Sequence, residues 1–283
     1  MSKIILSADR TCDIGEALQE KYSVNLISYS ITLEDKKYLD SVDIFPDDLY
    51  EAYRKNGALP KTSAINPQEY IEYFKKWTDE GYEVIHITLS SAVTSSYQSC
   101  VLAAAELPGV YVIDSKNISS AIALLVMEAG DRIAKGLPAA QIVEEVSALR
   151  EKSHCSFVLE TLEFMKAGGR CSGVAALAAG MLGLKVSIEV DNKTGELHAA
   201  KKYRGNMDRV LAQYVSEQFE KYPNIDRKRM YITHSGVPEE RLALVKKQVE
   251  ESGLFDEIYT SRASCTISTH CGPGTLGVLF LEK

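Results

Sequence analysis

The sequence predicts an α/β protein of two domains, with a mainly parallel sheet in the N-terminal domain and a mixed or antiparallel sheet in the C-terminal domain. Short apolar runs alternate with segments of helical periodicity through the first half, which is typical of βαβ units. After about residue 155 the pattern changes to a hairpin followed by mixed elements. The length of 283 residues suits two domains of ordinary size. We therefore expect closely packed domains at residues 1–155 and 156–283.

Four apolar runs predict the strands of the first sheet, and each is followed by polar residues and then by a helical pattern. These runs are Ile4–Ser7, Val24–Ile31, Val84–Leu89 and Val110–Ile113. The periodicity of amphipathic helices occurs at Asp47–Asn56, Pro67–Glu80, Ser120–Lys135 and Ala139–Lys152. Pro67 suits a first helical position, and Gly136 suits a helix end.

The C-terminal half predicts a hairpin followed by alternating helices and strands. Val186–Val190 and Leu197–Tyr203 flank the turn-rich segment 191–196, which favours an antiparallel hairpin. A helix follows at Met207–Tyr222, with Asn206 as its N-cap. The other predicted elements are a helix at Glu160–Ala167, a strand at Met230–His234, a helix that opens at Pro238, and strands near Glu257–Thr260 and at Leu276–Leu281.

Composition and charge argue against several classes of protein. The net charge of −7 leaves no basic surface for a phosphate backbone, so we expect no nucleic-acid partner. The apolar run at the N-terminus is too short for a signal peptide, and the nearly uncharged stretch 171–184 is shorter than the roughly 20 residues that span a bilayer. The six cysteines form no CxxC pair, which argues against a zinc ribbon. We therefore expect a cytoplasmic protein with free thiols and no metal site.

Hydroxyl and carboxyl side chains cluster after three of the predicted strands, at 9–13, 90–96 and 114–115. Lys61-Thr62-Ser63 is a fourth such group. In an open parallel sheet, ligands bind in the crevice outside the carboxyl ends of the strands. Seven of the twelve residues from Thr88 to Ser99 are Ser or Thr, and they lead into a helix whose free N–H groups favour an anion. The pattern predicts a carboxylate or phosphate site, although the same residues also serve as ordinary turn and cap residues.

Other motifs are weaker or negative. The string Gly272–Gly277 fits G-x-G-x-x-G but precedes a strand, so it is not a dinucleotide fingerprint, and neither an ATP-binding P-loop nor a G-x-S-x-G elbow occurs. His270 lies between glycine-rich turns and a strand, which favours a ligand or anion role. Arg170 follows a glycine helix stop and Arg204 leaves the hairpin, so each is either a solvated side chain or a functional cation.

Taken together, these residues resemble the DegV family of bacterial fatty-acid-binding proteins across essentially the whole chain. The resemblance rests on the order and spacing of motifs that are individually weak. They are Asp9-x-Thr11-x-Asp13, Lys61-Thr62-Ser63, Ser90-Ser91-x-x-Thr94-x-x-Tyr97-Gln98-Ser99, Asp114-Ser115, Leu162-x-x-x-Lys166-x-Gly168-Gly169-Arg170, Arg204-Gly205 and His270-x-Gly272-Pro273-Gly274.

The resemblance implies a long-chain fatty acid in a tunnel between two α/β domains. It implies that Thr62 and Thr94 bind the carboxylate, with Ser63, Ser95, Ser96 and His270 nearby. Arg170, Arg204 and His270 would meet the phosphoryl group or a fatty acid kinase subunit, which supplies ATP and metal. The chain itself would then be a lipid-binding protein rather than an enzyme, with no cofactor and with peripheral membrane contact only for lipid exchange.

Departures from the family pattern leave two alternatives open. Arg10 stands in place of a usual Ser, Thr94-Ser95-Ser96 in place of Ser-Gly-Thr, and Ala64 in place of Gln. These changes favour the alternative of a binder for another small anion, including another anionic lipid. The other alternative is a stand-alone hydrolase or transferase that uses the Ser/Thr cluster and His270. The segment Gly173–Leu184, rich in small residues, is expected either to line the tunnel or to form a core helix.

Overall fold

Three β-sheets form the framework of the protein, as seen in a computed structural model that describes residues 3–171 and 184–283. The strands in chain order are β1 (Ile4–Asp9), β2 (Asn25–Ile27), β3 (Ser30–Leu33), β4 (Lys36–Leu39), β5 (Lys61–Ser63), β6 (Glu83–Thr88), β7 (Val110–Asp114), β8 (Ser153–Leu159), β9 (Leu184–Val190), β10 (Leu197–Arg204), β11 (Ile225–Ser235), β12 (Glu257–Arg262) and β13 (Thr275–Glu282).

Helices connect these strands and cover the sheets. In chain order they are α1 (Glu16–Lys21), α2 (Pro46–Asn56), α3 (Pro67–Thr78), α4 (Ser96–Ala105), α5 (Ser120–Ala134), α6 (Ala139–Leu149), α7 (Glu163–Gly168), α8 (Met207–Lys221), α9 (Glu239–Ser252) and α10 (Cys265–Cys271). Single 3₁₀ turns occur at Arg10–Cys12 and Arg150–Lys152. No helix in the described ranges is both long enough and apolar enough to cross a membrane.

The first sheet is parallel and has four strands in the order β2-β1-β6-β7. The second sheet is mixed, with six strands in the order β10-β9-β8-β13-β11-β12, of which β11 and β12 run parallel and the other neighbouring pairs antiparallel. Both arrangements agree with the fold class that the sequence predicts. A third, antiparallel sheet of three short strands, in the order β4-β3-β5, is an addition that the sequence pattern did not indicate.

Helix α5 joins the two larger sheets into one core. Its residues from Ser120 to Gly130 are all buried, and it packs against β1 and β6 of the first sheet and against β8, β11 and β13 of the second. A helix that is apolar on every side must be covered on every side. The main hydrophobic cluster accordingly includes Ile85 and Ile87 of the parallel sheet together with Phe157 and Ile188 of the mixed sheet.

Two segments fold differently from the sequence expectation. The run Val24–Ile31 was expected to be one strand, but it divides into β2 and the start of β3, which belong to different sheets. The sequence pattern predicts no strand over segment 153–159, but this segment forms β8, whose residues are buried apart from a half-buried His154. β8 lies near the centre of its sheet, so polar Ser153 and Ser156 are buried and obscure the apolar signal. The domain boundary expected at residue 155 stays a prediction.

Candidate ligand-binding site

A cavity of about 660 Å³, including its open mouth, lies among loops and helices that follow strands of all three sheets. Its wall is mostly apolar, with a few polar groups gathered together, which is the usual composition of a small-molecule site. The lining residues are Tyr29, Thr62, Ala64, Leu89, Val93, Thr94, Ser95, Ile118, Met165, Arg170, Leu197, Thr266, Ile267, His270 and Cys271.

Thr62 and His270 form the central polar pair of this cavity. Thr62 lies on β5, and its Oγ1 is 3.0 Å from Nε2 of His270 on α10. Nδ1 of His270 is buried and has no hydrogen-bond partner in the described part of the chain. A buried N–H without an acceptor costs free energy, so the ring proton is assigned to Nε2, which donates to Thr62 Oγ1. The Thr62 hydroxyl proton is then free to be donated to a ligand.

Burial keeps His270 neutral. Loss of solvent, assisted by the positive charge of Arg170, lowers the pKa of His270 to about 4. The ordinary pKa of an imidazole would predict titration near neutrality, but His270 does not titrate there. At neutral pH it supplies a hydrogen bond to Thr62 rather than a positive charge to an anion.

The loop after β6 brings Thr94 and Ser95 to the cavity. Thr94 Oγ1 lies 3.0 Å from Ser96 Oγ and accepts the Ser96 backbone N–H at 3.2 Å. The Ser96 hydroxyl also accepts the Ile65 N–H at 3.1 Å, so it ties the Thr94 loop to the segment that follows β5. Ser95 is the N-cap residue of α4, and the positive end of that helix dipole favours a negatively charged ligand.

Asp9, at the carboxyl end of β1, holds two parts of the cavity wall. Its buried carboxylate accepts hydrogen bonds from Tyr29 Oη at 3.0 Å and from the Leu89 N–H at 2.8 Å. Tyr70 Oη donates to it at 2.8 Å, and His86 Nε2 lies 3.2 Å away. The acidic cluster after the first strand thus positions wall residues and does not itself line the cavity.

Helix α10 contributes Thr266, Ile267, His270 and Cys271 to the wall, and two buried carboxylates fix its first turn. Asp40 accepts the N–H groups of Cys265 and Thr266, both at 2.8 Å, and Asp13 accepts the N–H of Ser264 at 2.9 Å. These bonds satisfy N–H groups that a helix start leaves without partners. His270 was expected between turns, and its place in the last turn of a helix is a finding of the structure.

A second, more apolar chamber of about 320 Å³ adjoins the cavity and lies between α10 and the mixed sheet. The two share Ile118, Ile267 and Cys271 as wall residues. Several residues of the chamber carry hydroxyls, but each of these hydroxyls already has a hydrogen-bond partner. Ser119 donates to Asp13, Ser156 pairs with Tyr214, and Thr275 donates to the Cys271 carbonyl. Carbon atoms therefore face the space, which suits an apolar chain.

The structure gathers most, but not all, of the residues singled out in the sequence. Thr62, Thr94, Ser95, Arg170 and His270 line the main cavity. Ser63, Ser96 and Arg204 do not. Ser63 is exposed on β5 beside Thr62, and Arg204 is exposed at the end of β10. Ser96 is buried, and its hydroxyl forms a hydrogen bond with the Thr94 hydroxyl. The segment Gly173–Leu184, expected as a tunnel wall, lies outside the described residues except for its last residue, which begins β9.

Arg170 is the formally charged residue among the described lining residues of this cavity. Its Nη1 donates to the Gly168 carbonyl at 2.7 Å, which leaves other N–H groups of the guanidinium available. Gly168 has a packing role of its own, because a Cβ atom there would lie 2.2 Å from His270 Nδ1. The adjacent Gly169 ends α7 in the left-handed conformation, as the glycine stop predicts.

Sequence reasoning missed the apolar wall residues Tyr29, Ile118, Met165, Leu197 and Ile267. They are ordinary apolar residues in the sequence, and only tertiary packing brings them to one space. In the described part of the chain, no group of three or more His, Cys, Asp or Glu side chains is arranged to hold a metal ion. Cys12, Cys100, Cys155, Cys265 and Cys271 are buried free thiols, and Cys171 is also buried.

Comparisons with known proteins relate the chain to one family. A family model described as DegV matches residues 3–283. A DegV domain-containing protein of Clostridium perfringens is 30% identical over 286 residues, which cover 100% of both chains. The structure of a DegV family protein from Thermus thermophilus, described as binding fatty acid, has a TM-score of 0.91 at 27% identity and covers 99% of this chain and 100% of its own. A stearic acid-binding protein from Eubacterium ventriosum has a TM-score of 0.86 at 25% identity, covering 100% and 99% respectively.

Proposed function

The chain belongs to the DegV family, and on this premise we propose that it binds a long-chain fatty acid and presents the carboxylate to a partner kinase. The carboxylate lies at Thr62 and Thr94, and the hydrocarbon chain runs past Ile118, Ile267 and Cys271 into the apolar chamber. The observation that carries the proposal is a cavity with a polar group of hydroxyls beside an apolar chamber that shares three of its wall residues. Solved structures of family members described as fatty-acid-binding proteins support the ligand class.

The polar end of the cavity supplies hydrogen bonds and the partial positive charge of a helix N-terminus. The Thr62 hydroxyl, which His270 orients, donates a hydrogen bond to one carboxylate oxygen. The Thr94 hydroxyl and the N-terminus of α4 bind the other oxygen. Each such bond to a charged group stabilises binding by roughly 1.5–3 kcal/mol. Ser95 is exposed at the rim, where a glycine would let the backbone approach the ligand more closely.

The hydrocarbon chain supplies most of the affinity. Burial of each CH₂ group stabilises the complex by about 0.8 kcal/mol, so ten buried groups contribute about 8 kcal/mol, more than the roughly 3–6 kcal/mol of the two threonine bonds. Among the described residues that line the apolar chamber, each hydroxyl already has a hydrogen-bond partner, which keeps the desolvation cost of an acyl chain low.

The reaction partner in this proposal is a fatty acid kinase subunit that brings ATP and metal and forms the acyl phosphate on the bound carboxylate. Arg170 at the cavity and exposed Arg204 are the cations suited to meet the phosphoryl group or the kinase surface. Such a protein would act in the cytoplasm, where ATP is available, and would contact membranes only to exchange lipid.

Native mass spectrometry tests the ligand. Protein purified from a bacterial host should retain a long-chain acid, and delipidated protein should take up stearate in a ratio of one to one. Thr94→Val removes the hydroxyl at similar volume and should lower retention, whereas Ser99→Ala, which removes a hydroxyl of α4 outside the cavity lining, is the matched control. A delipidated protein that takes up no long-chain acid would contradict the proposal.

Arg204→Ala separates binding from presentation. Because Arg204 is exposed and does not line the cavity, the variant should load stearate normally but slow acyl phosphate formation by the kinase. Arg227→Ala, another exposed arginine that does not line the cavity, is the control and should change neither step. Loss of loading in Arg204→Ala with an intact fold would show that our division of roles is wrong.

One observation favours the alternative of a stand-alone hydrolase or transferase, namely the hydroxyl–imidazole pair of Thr62 and His270. A nucleophile of this kind also needs a third group that orients the base, and His270 Nδ1 has no such partner in the described ranges. Turnover of acyl esters by the isolated protein, abolished by His270→Ala, would favour this enzyme function over the binding function.

A further inference from the structure

A separate cavity of about 710 Å³ lies at the carboxyl end of β1, away from the acyl site. It shares no lining residue with the main cavity and one, Ala263, with the apolar chamber. Its wall is lined by Arg10, Asp13, Ile14, Gly15, Glu16, Gln19, Leu26, Ser41, Phe45, Pro46, Arg262, Ala263 and Ser264. Arg10, which departs from the family pattern, is therefore a residue of this second cavity.

Arg10 is held in one orientation and has no counter-ion. Its Nε donates to Ser28 Oγ at 2.9 Å, and Ser28 in turn donates to the Asp40 carbonyl at 3.0 Å. No carboxylate of residues 3–171 or 184–283 lies within ion-pair distance of Arg10, and its two terminal nitrogens have no acceptor there. A half-buried, oriented guanidinium with four free N–H groups is a receptor for a planar anion.

A second guanidinium enters the cavity from the other sheet. Arg262 ends β12, stacks over Tyr50 at 5.9 Å from the ring centre, and uses Nη2 for an ion pair with exposed Asp47 at 2.6 Å. Its Nη1 and Nε have no partner in the described part of the chain. The carboxyl ends of β1 and β12 thus place two cations on the same space, in the kind of crevice that strand ends form.

The rest of the wall indicates a ligand with an apolar body. Ile14, Leu26, Phe45 and Pro46 line the cavity, and the Phe45 side chain is 54% exposed. Ser264 adds a buried hydroxyl beside the Asp13 carboxyl. Two carboxyl groups also lie in the wall. Burial raises the pKa of Asp13 to about 7, which reduces its negative charge near neutrality, and Glu16 is exposed to screening solvent.

We propose that this cavity is a second binding site, for a small organic carboxylate with an apolar or aromatic body, in which Arg10 and Arg262 bind the carboxylate and Phe45 covers the body. A guanidinium with free terminal nitrogens, such as that of Arg10, can bind a planar carboxylate in a bidentate arrangement. Asp13 connects this site to the acyl site, because it accepts hydrogen bonds from Ser119 in the apolar chamber and from Ser264 at the start of α10. The site is distinct from the acyl cavity and does not depend on the fatty acid proposal.

Titration calorimetry of the full chain with benzoate tests the proposal, with benzamide as a neutral analogue of the same shape. We expect benzoate to bind and benzamide not to bind. Arg10→Gln should weaken benzoate binding by about tenfold to a hundredfold, as expected for the loss of charge-assisted hydrogen bonds. Arg54→Gln, which changes an exposed arginine on α2 outside the cavity, should leave binding unchanged.

Three results would overturn the proposal. The first is benzoate binding that stearate displaces, because the probe would then occupy the acyl cavity. The second is an affinity of the unmodified chain for benzoate that is no higher than that of Arg10→Gln, which includes the case in which neither protein binds benzoate. The third is binding of inorganic phosphate with the same Arg10 dependence while benzoate fails, which would make the ligand a phosphate. If Arg10→Gln does not fold, Phe45→Ser on the exposed rim replaces it and should weaken benzoate binding severalfold.

Discussion

At the scale of single residues, the hydroxyl of Thr62 is distinguished from its neighbours by one contact. His270 Nε2 lies 3.0 Å from Thr62 Oγ1, whereas Ser63 is exposed and faces away from the cavity. Adjacent residues of a strand point to opposite faces, so the Lys61-Thr62-Ser63 motif can direct only one of its two hydroxyls at a ligand.

Thr62→Val therefore should weaken stearate binding, because the isosteric side chain cannot donate to the carboxylate and leaves the His270 N–H unpaired. The expected loss is roughly 1–3 kcal/mol in binding free energy. Ser63→Ala is the matched control and should change the dissociation constant by less than about twofold. Displacement of a fluorescent fatty acid measures both values, and an equal loss in the two variants would count against the assigned orientation.

Asp13 makes the free energy of unfolding depend on pH, with a sign opposite to that of most carboxylates. Burial raises its pKa from 3.8 to about 7, so between these values the folded protein binds more protons than the unfolded chain. The free energy of unfolding therefore falls as pH rises from about 4 to 7. The pKa of His270 is lowered from 6.5 to about 4, so between these values the unfolded chain binds more protons than the folded protein. This group therefore makes the free energy of unfolding rise with pH over that range.

Asp13→Asn isolates this contribution, because an amide oxygen can still accept the Ser264 N–H. We expect the stability of the variant relative to the unmodified protein to increase from pH 4 to pH 8, by on the order of a few kcal/mol. Urea unfolding at several pH values measures the difference. A difference that stays constant with pH would show that Asp13 titrates normally in the folded protein.

At the scale of elements, α7 and α10 approach so closely that a glycine is needed between them. Gly168→Ala would normally favour a helix, but its Cβ atom would lie 2.2 Å from His270 Nδ1. We expect the variant to displace the imidazole from Thr62 and weaken stearate binding about as much as Thr62→Val. The double variant with His270→Ala should show no additional loss, because the added methyl then has room.

Elements also show what the sequence could and could not predict. Apolar periodicity located β1, β6, β7 and most of the long helices correctly, since burial and pattern agree there. It failed for α10, whose Cys-Thr-Ile-Ser-Thr-His-Cys sequence has low helix propensity. That helix forms because Asp13 and Asp40, more than 200 residues earlier, satisfy its first N–H groups. Contacts between residues so far apart in the sequence leave no pattern in the local sequence of the helix.

The same limit applies to the site. The hydroxyl motifs identified the segments 61–63 and 90–96, the family resemblance selected Thr62, Thr94 and Ser95 within them, and the glycine-rich segments drew attention to Arg170 and His270, and these five residues line one cavity. The apolar walls, and the separate location of Arg10, depend on how three sheets pack and are not visible as a pattern in the chain.

At the scale of the whole molecule, the cavity wall comes from residues between Tyr29 and Cys271. A ligand in this space contacts parts of the chain that are brought together only by folding. We expect stearate to raise the melting temperature of the delipidated protein, with a stabilisation of about 2.7 kcal/mol at a free concentration a hundred times the dissociation constant. Differential scanning calorimetry measures this shift, and a melting temperature that is independent of stearate would contradict an interior site.

The hydrogen bond between Thr62 and His270 also has a consequence for synthesis of the protein. Its partners are 208 residues apart, and Thr62 is synthesised long before α10. Until α10 has been translated, Thr62 lacks its imidazole partner and the apolar chamber lacks a wall. Ligand capture therefore requires α10, and a nascent chain that stops short of this helix exposes apolar surface that α10 later covers.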